Sequence, residues 1–201
     1  MVKEAPTGVP EVVAAAPPDN ATLALWVWLS AEAVFFASLI GTYLLLHTQT
    51  NHGITPQQAF DLPLTFLGTI ILLSSSMTMA LGYAQIQRGN VPALRRWLVV
   101  TAVLGLGFLG FQAVEFTHFY SIGLTLKSSP FGSAFFTLTG FHGLHVFFGV
   151  FWLVSLLVYS YRPEFRAEAV TKTQVLGLYW HFVDVVWVVI FSLVYLLGKV
   201  G

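Results

Sequence analysis

The chain has 201 residues, with nine Lys or Arg balanced by nine Asp or Glu, no cysteine, 56% hydrophobic residues and only 9% charged ones. With a mean hydropathy of +0.77, it has too few charges to cover a water-facing surface. This excludes a soluble globular domain or a basic nucleic-acid binder and indicates an integral membrane protein. The absence of thiols excludes disulfides, thiolate metal sites and cysteine catalysis.

In chain order, residues 1–20 open with Lys3 and Glu4, are rich in Ala, Val and Pro, and end in Pro17, Pro18, Asp19 and Asn20. They read as a disordered cytoplasmic tail and a turn, with no secretory signal. Residues 21–201 read as one transmembrane domain. Five segments reach the length of about 20 apolar residues that a span needs, near 23–46, 62–87, 94–120, 133–159 and 175–198. Turn and charge clusters separate them: His47 to Asp61 with Asn51, Gly53 and Pro56, then Arg88 to Pro92, Lys127 to Pro130, and Tyr161 to Lys172. The runs are too long for barrel strands and lack a period of two. The expected fold is an all-α, polytopic bundle of five transmembrane helices.

Five crossings put Lys3, Arg88, Arg95, Arg96, Arg162, Arg166 and Lys172 on one face, and only Lys127 and Lys199 on the other. The positive-inside rule then places the N-terminus in the cytoplasm and the C-terminus outside. With a rise of about 1.5 Å per residue, Glu32 and Asp184 fall near mid-membrane in the cytoplasmic half, as members of one buried polar layer. His142 and His145 reach comparable depth from outside, while Glu115 and His118 approach the outer end of the third helix and are expected to be partly wet.

Ionisable groups at this depth cost roughly 2.5–3.5 kcal/mol on insertion scales, so they mark the places to look for function. Glu32, set among Ala31, Ala33, Val34, Phe35 and Phe36, should be protonated or hydrogen-bonded. Proton handling, or a specific lipid or subunit contact, stands beside a purely structural role. The third helix carries Gly105, Gly107 and Gly110 and then Gln112 and Glu115; the second carries Ser74, Ser75, Ser76 and Thr78. Both read as packing faces. On the fourth helix, Thr139, His142, His145 or Val146, and Gly149 form one stripe; on the fifth, Trp180, His181, Asp184 and Trp187 bracket a polar spot between indoles. The i, i+3 pair His142 and His145 has the spacing of two metal ligands, but the helix supplies no third, so interhelical hydrogen bonding is the expectation. No base lies near the serines in sequence, which argues against a covalent nucleophile.

Trp28 to Phe36 (WLSAEAVFF), Thr139 to Val146 (TGFHGLHV) and Tyr179 to Trp187 (YWHFVDVVW), with Gln112 to Glu115 before an aromatic, resemble the signature stretches of subunit III of the haem–copper oxidases. The likeness is chiefly to cytochrome c oxidase and spans about residues 23–198. It implies a core subunit without redox groups, packed on subunit I, with subunit II as neighbour, in a proton-pumping terminal oxidase of the bacterial cytoplasmic membrane that reduces dioxygen to water. The resemblance puts haem and copper in the partner subunits and no metal in this chain. It also implies support of proton uptake, protection of subunit I from inactivation during turnover, and bound phospholipid, with membership of a larger respiratory supercomplex left open. Glu32 matches the family's buried, carbodiimide-reactive carboxyl.

The mitochondrial form has seven helices, and this chain begins at what would be the third, as a five-helix bacterial version does. The two-helix arm of the family's lipid cleft is then supplied by another subunit or left as open membrane. A quinol oxidase subunit III, or a subunit III-like accessory protein of nitric oxide reductase, would share the pattern. A small transporter or channel would instead show inverted repeats and a polar path through the full thickness, and neither is visible.

Overall fold

The computed structural model describes residues 20–50, Thr55 and 62–196. The expected tail ending in Pro17, Pro18 and Asp19, the turn residues Asn51, Gly53, Pro56 and Asp61, and Lys199 lie outside the described residues. Among the described residues, five helices long and apolar enough to cross a membrane follow one another: α1 (Asn20–Leu46), α2 (Leu62–Gln87), α3 (Val91–Ser121), α4 (Pro130–Tyr159) and α5 (Phe165–Ile190). A π-helical turn, Phe191–Leu196, extends α5. No strand occurs among the described residues.

The helix starts differ from those read from hydropathy because caps and charges, not apolarity, set them. The Asn90 side chain accepts from Ala93 N (3.1 Å), so α3 begins at Val91 rather than 94. Ser129 accepts from Gly132 N (3.1 Å) ahead of Pro130, the first residue of α4, rather than 133. Helix α5 begins ten residues before the expected 175. Its first turns carry Arg166, Glu168 and Lys172, and the Glu168–Lys172 pair at 3.0 Å spans i, i+4. The segment to Lys172, expected as a loop, is therefore helical from Phe165. Between α2 and α3, Gly89 takes φ +73°, a left-handed conformation that costs glycine least, and closes a tight hairpin.

Helix α5 is the centre of the bundle, packing on α2, α4 and α1, while α3 closes the far side against α2 and α4. Two indoles wedge it in place. Trp180 donates from Nε1 to Ser75 Oγ (2.9 Å) and Trp187 to Thr69 Oγ1 (3.0 Å), so both are tied to hydroxyls of α2. The Trp180 ring fills the space where Gly105 of α3 and Gly149 of α4 lack side chains; a Cβ on either would lie within 2.8 Å and 2.7 Å of the ring. Gly105→Ala must therefore displace a fully buried indole. It is expected to destabilise the chain by about 1–2 kcal/mol, read as a lower thermal unfolding midpoint in detergent, whereas Gly110→Ala, which meets nothing within 4 Å, should leave it unchanged.

Candidate functional site

Thr139, His142, Val146 and Gly149 form the buried face of α4. His145 turns aside to α1. Its Nε2 lies 3.2 Å from Glu32 Oε2, and its Nδ1 lies 2.8 Å from the carbonyl oxygen of Phe141. A carbonyl only accepts, so Nδ1 carries a proton, and the Nε2 contact with Glu32 needs one more. That proton sits either on the carboxyl, giving a neutral pair, or on the ring, giving an ion pair. Glu32 and His145 both lie near the middle of their helices. The side chains of His145 and Glu32 remain 15% and 20% exposed, so the pair is half-buried rather than enclosed.

A groove of about 350 Å³ between α1 and α4 opens beside the pair, lined by Trp28, Phe148, Trp152, Tyr179 and His145. Trp28 and Trp152 both pack against the Tyr179 ring, with centroids 5.6 and 5.5 Å away, and the Tyr179 hydroxyl donates to the His145 carbonyl (2.7 Å). These contacts lock the α4 backbone at the residue that holds Glu32.

The other polar residues form separate contacts. Gln112 donates from Nε2 to the Thr139 carbonyl (2.8 Å) and sits against Gly143, where a Cβ would lie 2.5 Å from its oxygen. Glu115, expected to be partly wet, is only 6% exposed. Its carboxyl accepts from Thr65 Oγ1 (2.6 Å) and from the Tyr195 hydroxyl (3.0 Å), which the π-turn at the end of α5 swings inward. His142 is fully buried between Phe108 and Trp187, with Nε2 3.3 Å from the Val183 carbonyl. His181 meets Ser76 Oγ through Nδ1 (2.7 Å). Asp184 is buried on the face of α5 between the two indoles; among the described residues its oxygens and His142 Nδ1 have no hydrogen-bond partner.

Sequence reasoning singled out seven of these residues but missed Thr65, Thr69 and Tyr195, and took the serines only as packing. The signal for the serines was their i, i+1 run beside a helix rich in indole and imidazole. The His142 and His145 nitrogens diverge, one toward α5 and the other toward α1. Among the described residues, no three His, Asp or Glu converge as a ligand set. Changing both histidines to Phe should lower the melting temperature of the assembled protein, at a cost of about 1–2 kcal/mol for the lost buried hydrogen bonds, and leave bound metal unchanged. Loss of metal from the purified double variant would contradict this assignment.

The model of the family described as cytochrome c oxidase subunit III matches residues 23–199. The chain belongs to the cytochrome c oxidase subunit III family. Its relatives within that group include cytochrome c oxidase subunit 3 of Bacillus sp. (strain PS3), 40% identical over 198 residues, which cover 95% of this chain and 96% of that one. The corresponding subunit of Bacillus subtilis (strain 168) is 42% identical over 90% of this chain and 88% of its own. Quinol oxidase subunit 3 of Bacillus spizizenii is 37% identical over 89% and 88%. Subunit III proteins of both kinds share this chain's length, so it is a subunit III of a haem–copper oxidase, a multi-pass membrane component of an oxidoreductase complex.

Proposed function

We propose that this subunit III carries no redox centre and acts as a support for subunit I of a proton-pumping, dioxygen-reducing oxidase, with haem and copper held in subunits I and II. It keeps proton uptake by subunit I steady, protects that subunit during turnover, and holds phospholipid. The observation that carries the reading is the Glu32–His145 contact at 3.2 Å. It is a polar pair near the middle of both helices, placed beside an aromatic groove of about 350 Å³. His142 and His145 point from α4 toward different helices, one to α5 and the other to α1, which supports this reading.

In the membrane, we place the N-terminus in the bacterial cytoplasm and the C-terminus outside. Arg88, Arg95, Arg96, Arg162, Arg166 and Lys172 gather toward the end of the bundle where α1, α3 and α5 start, opposite Lys127. The electron donor is cytochrome c in this reading, with quinol as the alternative carried by relatives of similar identity.

The test is purification of a tagged chain in mild detergent, with a reduced-minus-oxidised spectrum and metal analysis of the complex. Haem with copper is the expected result, and a binuclear copper signal assigns cytochrome c as donor rather than quinol. Haem with non-haem iron and no copper would reassign the chain to a nitric oxide reductase, and a colourless, solitary protein would overturn the proposal.

A further inference from the structure

Ser76 of α2 meets His181 of α5 in a hydroxyl–imidazole contact of 2.7 Å, Oγ to Nδ1. The Asp184 carboxyl follows His181 at i, i+3, on the same face of α5, and lies beside that same hydroxyl. Neither of its oxygens completes a hydrogen bond among the described residues, and the residue is only 3% exposed. Indoles one turn to either side along α5 hold the site shut, Trp180 donating to Ser75 and Trp187 to Thr69 of α2.

Among the described residues, no other ionisable group is turned to this site. Helix α4 brings His142 to the Val183 carbonyl and His145 to Glu32 of α1, while Glu115 of α3 meets Thr65 and Tyr195. Helix α2 adds Tyr83, which is two turns away on Gln174. An ionised Asp184 would therefore be a buried charge with no cation and no donor bonded to it, which costs far more than the neutral acid. The carboxyl carries its proton, and an acceptor at hand is Ser76 Oγ, whose own O–H points to His181 Nδ1.

The order of the three groups decides what they can do. In a hydrolytic triad the acid holds the imidazole and the imidazole holds the hydroxyl. Here the hydroxyl stands between the acid and the imidazole, so it is not activated for attack. It joins two proton-holding groups, because a hydroxyl accepts from one while it donates to the other.

We propose that Asp184, Ser76 and His181 form a proton store inside the bundle, in which a proton moves between carboxyl and imidazole through the serine hydroxyl. The carboxyl proton passes to Ser76 Oγ as the Ser76 proton passes to His181 Nδ1, leaving a carboxylate, an unchanged hydroxyl and an imidazolium. The imidazolium then gives its Nε2 proton to water at the two grooves, of about 330 and 240 Å³, that its ring lines. Uptake runs the same steps in reverse. The store shares no residue with the Glu32–His145 pair and does not depend on the identity of the partner subunits.

The test is hydrogen–deuterium exchange followed by infrared spectroscopy on the full chain in its native membrane complex. The wild type is expected to show a protonated-carboxyl C=O band that Asp184→Asn removes and that shifts when water is replaced by heavy water. Ser76→Ala should slow that shift about a hundredfold, the lower end of what a positioned proton-transfer group contributes. His181→Phe should slow it likewise, and Ser76→Thr, which keeps the hydroxyl, should restore it. No band lost in Asp184→Asn, wild-type exchange in Ser76→Ala or His181→Phe, or a Ser76→Thr chain as slow as Ser76→Ala would each overturn the proposal.

Discussion

Glu32→Ala is expected to hasten the loss of oxidase activity during turnover several-fold, with Glu32→Gln doing so by less. The alanine leaves His145 Nε2 facing the α1–α4 groove without a partner, at a cost of about 1–3 kcal/mol for a polar group stranded at low dielectric. It also removes the polar bond between α1 and α4. The glutamine amide donates to Nε2 as the neutral carboxyl does, but cannot give up its proton, so it restores the contact and not the exchange. The order of the two variants therefore separates packing from proton handling. Progress curves of oxygen consumption check it; wild-type inactivation kinetics together with wild-type subunit retention in the alanine variant would sink the assignment.

Glu115→Leu is expected to lower the stability of the chain by about 1–3 kcal/mol, because one buried carboxyl accepts from hydroxyls of two other elements and each such bond is worth about 0.5–1.5 kcal/mol. Thr65 begins the inner face of α2, and Tyr195 belongs to the π-turn that ends α5. The acceptor thus fastens three helices at one level. Glu115→Gln keeps one acceptor oxygen and should recover roughly half of the loss. Thermal unfolding in detergent measures both variants, and a Glu115→Leu chain melting with the wild type would show that the level is held by packing alone.

The five spans were legible because twenty-residue apolar runs and charged or turn-rich breaks are one-dimensional signals. Glu32, His142, His145, His181 and Asp184 were legible as residues for the same reason, since a polar group inside such a run stands out. Their partners were not. Which face of α4 meets α1 depends on tilt and rotation, which packing sets. The choice between His145 and Val146 for the buried stripe was therefore open in the sequence and is decided by Trp180 filling the space beside Gly149. The start of α5 was misplaced because hydropathy falls at Arg166 and Lys172, although an i, i+4 ion pair keeps that segment helical outside the apolar layer. Glu115 was expected to be wet from its position near a helix end. The π-turn that carries Tyr195, 80 residues beyond Glu115, covers it, and no local pattern announces that turn.

The reading of this chain as a redox-silent support is tested most directly by stripping it from the purified oxidase and following oxygen consumption over time, before and after adding it back. The account predicts an unchanged haem and copper content and a largely retained initial rate, followed by early inactivation. Wild-type chain should restore the lifetime and Glu32→Ala chain should not. Loss of haem or copper with the stripped chain, or a lifetime unaffected by its removal, would contradict it.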